Sequence, residues 1–243
     1  MKRWVLGGPV LALLAWVMGV VGAAAQTMDD HVYWFVSFEE LEYRPGPAEE
    51  PLVYDAEMWV GGDMDRLWLK AHGEQSTLEP AGHLEAQALY SRTVSPFWNA
   101  QVGLRLDREY GDGTGATRGH LAAGLQGLAP YWFHVESFLF LSQDADVSAR
   151  LEVGWDMLFT QRLVLEPEVE VALALQDVPE WGVGSGLNQI ELGARLRYEF
   201  LRELAPYVGW SWARRFGEAA DLARAEGQEV SRGALVLGLH WWY

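Results

Sequence analysis

The stretch NQIELGARLRYEF, residues 188–200, decides the fold. Ile190, Leu192, Ala194, Leu196, Tyr198 and Phe200 share one parity, while Gln189, Glu191, Gly193, Arg195, Arg197 and Glu199 share the other. Side chains on a β-strand point to alternate faces, so this segment carries one oily side and one charged side. FWNAQVGLRLD (97–107) and VSARLEVGWDM (147–157) repeat the pattern. In the latter, Arg150, Glu152 and Asp156 oppose Leu151, Val153 and Trp155.

Such segments recur from residue 54 onward, at about 54–61, 65–75, 83–94, 97–107, 118–128, 131–142, 146–158, 161–175, 187–200, 205–214 and 232–243. The links between them alternate. Tight ones at Gly62–Met64, Ser95–Pro96, Ala129–Pro130, Thr160 and Leu201–Leu204 take turns with longer or more polar ones, among them QDVPEWGVGSG and RFGEAADLARAEGQEVS. A soluble sandwich gives no reason for that alternation. A membrane barrel does, having tight periplasmic turns on one rim and longer loops on the other. Counting back from the last long link, a further strand is required before residue 54, and VYWFVSFEELEYR (32–44) supplies it. Its parity is mixed, so its faces stay unassigned. Twelve strands result, the even number expected of a bacterial barrel. Pro167 falls inside one of them, where it removes a ladder donor; a bulge or a break must accommodate it.

The chain ends GALVLGLHWWY. Leu235, Leu237, Leu239, Trp241 and Tyr243 lie on one face, expected to meet lipid with the rings at the membrane boundary. The expected fold is therefore all-β, a single transmembrane antiparallel barrel of about twelve strands. The first residues, MKRWVLGGPVLALLAWVMGVVGAAAQ, have the layout of a cleaved signal peptide over 1–25. A short polar leader, 26–31, then precedes a barrel over 32–243. No later apolar stretch is long enough for a spanning helix.

The formal charge of −16 becomes about −18 once Lys2 and Arg3 leave with the signal, which argues against nucleic acid as a partner and is compatible with a cationic ligand. There is no cysteine, so neither disulfide nor thiolate metal site is available. By parity the lumen receives charges of both signs, including Lys70, Glu85, Arg105, Asp107, Arg150, Arg195 and Arg197. Two arrangements are open. The charges pair across neighbouring strands, or Glu166, Glu168 and Glu170, stacked on one strand, form a cation path that Arg or a metal must relieve. His72, His83, His120, His134 and His240 also fall on the inward parity, where neutral imidazole would suit copper or zinc. The leader QTMDDH adds Met28, a thioether, and His31. Candidate metal ligands are thus Met28, His31, His72, His120 and His134.

A barrel hydrolase would need a Ser nucleophile and a His base on the lipid side. No histidine after residue 54 has outward parity, and GVGSGL lacks the GxSxG spacing.

Several longer stretches carry a resemblance: FEELEYR, GGDMDRLWLKAHGE, EAQALYSRTVSPFWNAQVGLR, SQDADVSARLEVGWDMLFTQRLVLEPEVE and GVGSGLNQIELGARLRYEF. Together with the aromatic end, they closely resemble the copper resistance protein B family across residues 35–243. The resemblance implies a non-enzymatic protein in the outer membrane of a Gram-negative bacterium. Its ligand would be copper ions, bound or passed alongside periplasmic copper-resistance proteins, with outer-membrane lipid around it. The alternative is a structural barrel or narrow pore linked to copper only indirectly. Many family members place a long Met- and His-rich segment before the barrel. Here only Met28 and His31 stand in that place, which turns attention to the barrel's own groups.

Overall fold

The computed structural model describes residues 31–45, 51–78, 81–111 and 115–243. The signal-peptide reading and Met28 lie outside them. The barrel unit runs from Tyr33 to Tyr243. Its strands are β1 (Tyr33–Tyr43), β2 (Pro51–Gly61), β3 (Asp65–Ser76), β4 (Gly82–Ser95), β5 (Trp98–Tyr110), β6 (Ala116–Ala129) and β7 (Phe133–Ser142). They continue with β8 (Val147–Trp155), β9 (Met157–Leu158), β10 (Leu163–Ala174), β11 (Gly186–Tyr198), β12 (Leu204–Arg215) and β13 (Ser231–Trp242). All pairings are antiparallel between sequence neighbours, and β1 closes on β13. Since β9 prolongs β8, the barrel has twelve staves, the expected number. Closure leaves no unpaired edge, as lipid requires of any spanning sheet.

The short links, 62–64, 96–97, 130–132, 159–162 and 199–203, share one rim with the two ends of the barrel, where Tyr33 pairs with Gly61 and the Val36 and Tyr243 backbones bond each other. The other rim carries the long links. One of them holds a helix, α1 (Gly217–Ala225), where the sequence suggested only a polar loop. Ala219, Ala220 and Ala223 seat it, and Gly184 of the 175–185 link lies so close that a Cβ there would come within 2.5 Å of the Glu218 Cβ.

The mixed parity of the first strand has a physical cause. Against β2 the register jumps between Phe38 and Glu40, and against β13 between Phe38 and Glu42. Glu39 is the extra residue of a β-bulge, which exchanges the faces of the residues that follow. Ser37 before the bulge and Glu42 after it both turn inward and are fully buried.

Pro167 is accommodated by a break in its neighbour. It faces Ala194 of β11 in regular register. On its other side the ladder stops at Glu168–Gly154 and resumes at Leu165–Met157. A missing N–H on Pro167 leaves the Trp155–Asp156 stretch without its donor, and the strand divides there into β8 and β9. The register is unchanged across the gap, so inward and outward faces are kept.

The outward face is apolar. Val102, Leu104, Leu121, Leu139, Leu235 and Leu237 are each more than half exposed and form a lipid band. Aromatic rings collect at the short-link rim: Trp34 lies 5.3 Å from Tyr243, Phe38 5.9 Å from Trp241, Phe133 5.5 Å from Trp155, and Tyr198 4.8 Å from Phe200. The terminal HWWY thus sits where sequence parity puts it, in an interfacial girdle.

Candidate functional site in the barrel lumen

The inward face is built by the same alternation that builds the lipid face. It contains two arginine-centred nodes, an apolar septum and a set of separated histidines.

The first node gathers the three glutamates of β10. Arg197 bonds Glu166 (2.9 Å) and Asp156 (2.9 Å), the residue freed by the Pro167 break. Arg195 bonds Glu168 (2.7 Å) and Glu42 (2.7 Å) and also pairs with Glu40. Glu42, with none of its surface exposed, further accepts from Arg44 (2.9 Å) and the Tyr207 hydroxyl (3.1 Å). Tyr207 reaches it by lying flat over Gly238, where a Cβ would come 2.3 Å from the ring. Arg150 stands 3.6 Å from Glu170. Arginine therefore relieves the stacked acids. A buried carboxylate so held is worth keeping paired, because removing one partner strands a charge at about 3–5 kcal/mol.

The second node centres on Glu85. Arg150 holds it in a bidentate pair (3.0 and 2.8 Å), Arg105 approaches to 2.9 Å, and Gln87 donates at 2.6 Å. Arg105 also forks onto Asp107 (2.8 and 3.0 Å). Lys70 pairs with Glu136 across the lumen.

Beside the second node, with Phe140 under Arg105 and Arg150, lies an apolar cluster of Trp68, Leu89, Ala122, Phe138 and Phe140, with Trp59 against it. Lys70 Nζ is 5.6 Å from the rings of both Trp68 and Phe138, and the Arg105 guanidinium is 4.4 Å from Phe140. Cations resting on ring faces gain electrostatic stabilisation there, so the septum also fixes the charged side chains.

Neutralisation is incomplete. Glu136, Glu152, Glu170 and Glu191 stand directly opposite one another across β7, β8, β10 and β11. Lys70, Arg150 and Arg44 serve Glu136, Glu170 and Glu191, but among the described residues Glu152 makes no hydrogen bond or ion pair. Glu57, across from Lys70 in register, is in the same state. The lumen keeps an acidic surplus, which draws cations.

All five strand histidines face inward, as parity predicts, but they do not converge. His72 Nδ1 is 3.1 Å from Asp55 Oδ2. His120 Nδ1, 3.6 Å from Asp107 Oδ2, is buried without a hydrogen-bond partner. His240 Nδ1 is 3.4 Å from Glu39, the bulge residue. His83 faces Glu109, and His134 faces Gly154 near the short-link rim. Among the described residues no three His, Asp or Glu groups stand close enough to enclose a metal ion. His31 precedes the barrel unit. Towards the long-link rim, His83, His120, Asp107 and Arg118 line a cavity of about 180 Å³, roofed by Val178, Trp181 and Val183 of the 175–185 link.

Glu40, Glu42, Arg44, Asp55 and Glu57 went unassigned by sequence. For Asp55 and Glu57 the signal was present, since Val53, Asp55, Glu57 and Trp59 share a parity. For β1 the bulge concealed it.

Comparison with known proteins agrees with this architecture. The sequence model of a family described as "Copper resistance protein B precursor (CopB)" matches residues 32–243. Copper resistance protein B of Escherichia coli is 37% identical over 215 residues, covering 88% of this chain and 71% of that protein. A copper resistance protein B homolog of Pseudomonas syringae pv. tomato is 37% identical over 218 residues, covering 90% and 72%. Among solved structures, the NanC porin superposes with a TM-score of 0.54 at 11% identity, over 86% of this chain and 99% of that one, a likeness of fold. The chain is an outer-membrane β-barrel that belongs to the copper resistance protein B family.

Proposed function

We propose that this barrel binds copper ions in its lumen and passes them across the outer membrane, without catalysing a reaction. The observation that carries the reading is the set of inward carboxylates and imidazoles left without full neutralisation, Glu57 and Glu152 above all, inside a family named for copper resistance. An acidic, partly dehydrated channel concentrates cations and repels anions. Imidazole and carboxylate side chains then offer exchangeable ligands.

In this reading residues 1–25 are removed on export. His134 and His240, near the short-link rim, exchange the ion with periplasmic copper-resistance proteins, and Met28 and His31 of the leader 26–31 are separate donors. Lipid surrounds the band of outward leucines.

The filled interior favours a second reading, a structural barrel or narrow pore with an indirect link to copper. The septum and the two arginine nodes occupy space that an open porin leaves to water. Reconstituted liposomes separate the two. Copper influx that saturates with concentration, and that falls when Glu57 and Glu152 are both changed to Gln, supports copper passage. Conductance of ordinary salts with no copper binding or flux overturns it.

A further inference from the structure

Resting on the copper reading above, we infer that the barrel's cargo is hydrated Cu(II), not Cu(I). It is taken up in turn on the free Nε2 atoms of His120, His72 and His240.

The first ground is the inventory of donors. Cu(I) is selected by thiolate and thioether, whereas tetragonal nitrogen and oxygen sets suit Cu(II). The chain has no cysteine. Among the described residues no methionine faces the lumen. Met58 lies beside Val36 and Leu69 on the outward face, Met157 lies beside Leu165 on the same face, and Met64 is in a short turn, half exposed. Inward donors are imidazole nitrogens and carboxylate oxygens.

The second ground is the way these imidazoles are mounted. In His72 it is Nδ1 that meets a carboxylate, Asp55, at 3.1 Å; in His240 Nδ1 turns toward Glu39 at 3.4 Å, and in His120 toward Asp107 at 3.6 Å, too far for a hydrogen bond. Metal-ligating histidines are mounted as His72 is, one ring nitrogen oriented by a carboxylate and the other left for the metal, and the other two rings turn the same nitrogen toward a carboxylate. The three do not share one depth. His120 lines the outer cavity, His72 lies four residues from the long-link end of β3, and His240 is near the short-link rim. His120 is 8% exposed, and its Nδ1 has no partner even though it is aimed among polar groups.

The third ground is that these are single-imidazole stations, because no three ligating groups assemble among the described residues. One imidazole with water completing the shell binds weakly and releases readily, which is what passage requires and storage does not. By the usual order of divalent stabilities, such stations prefer Cu(II) to Ni(II) or Zn(II).

The test uses the full mature chain in detergent, carrying Met28→Leu and His31→Gln so that the leader contributes no ligand. Copper(II) sulfate is titrated with electron paramagnetic resonance as readout. Cu(I) is supplied anaerobically from a competing chelator, and zinc sulfate is a third probe. The expected result is a saturable Cu(II) signal with nitrogen hyperfine structure, weaker binding of zinc, and no Cu(I) drawn from the chelator. Changing His72, His120 and His240 together to Gln should abolish the nitrogen couplings. Asp55→Asn, which leaves every imidazole in place, should weaken the His72 contribution about tenfold. Folding of each variant is checked by heat-dependent gel mobility. Cu(I) held more tightly than Cu(II), or nitrogen couplings unchanged in the triple variant, overturns the inference and leaves the copper reading standing. Binding of neither oxidation state brings down both.

Discussion

Glu152 of β8 stands directly across from Glu170 of β10 on the lumenal face, and Glu152 itself has no ion pair or hydrogen bond among the described residues. With Glu136 on its other side, it carries two like-charged cross-strand neighbours. Opposed like charges destabilise a sheet, and cross-strand pairs are worth about 0.2–1 kcal/mol each. A group kept at a cost to stability is a candidate for function. Glu152→Gln should therefore raise resistance to urea unfolding by about 0.5–1 kcal/mol while lowering copper flux into liposomes. A variant that loses stability would show that the carboxylate is a structural anchor.

Arg195 is the opposite case. It is 6% exposed and holds Glu40, Glu42 and Glu168 at once. Arg195→Met should destabilise the barrel by about 3–5 kcal/mol, because the fully buried Glu42 loses its main partner. Adding Glu42→Gln should recover part of that loss. Double-mutant unfolding free energies that simply add would mean the two side chains are not coupled.

The outward face gives a prediction that depends on depth. Leu104, 61% exposed in the middle of β5, meets hydrocarbon, so Leu104→Arg should cost about 2–4 kcal/mol. Tyr243→Arg at the short-link rim should cost no more than about 1 kcal/mol in the same unfolding assay. Equal costs would contradict the placement of the lipid band.

The same alternation explains what could be read from sequence. Strand number, link alternation and the faces of Leu104, Glu152 or Arg195 follow from parity, a local property set by the backbone. The face of Glu42 does not, because a single inserted residue, Glu39, reverses the parity at a point no pattern marks. Pro167 announced a disruption, but its position in the neighbouring strand, at Trp155–Asp156, depends on pairing. The histidines were legible as inward residues and no further. Parity fixes the face of His72, His120 and His134 but not their separation around the wall, and the two strands between β3 and β6 keep His72 and His120 apart.

Whether ions flow freely depends on the septum. Phe138 and Phe140, 3% and 2% exposed, pack with Trp68 and Leu89 inside the lumen. Lys70 and Arg105 lie against these rings. Ordinary hydrated salts should find this cross-section closed, so the wild-type barrel in a planar bilayer should show far less conductance than an open porin. Phe140→Ala removes a ring that touches Arg105 and Arg150 as well as Phe138. Its loss should cost about 3–5 kcal/mol of stability, as for a core aromatic, and should raise potassium conductance while weakening discrimination for copper. Increased conductance with copper flux unchanged would mean that copper takes a route along the β10–β11 wall, past Arg195 and Glu168, and not past the rings.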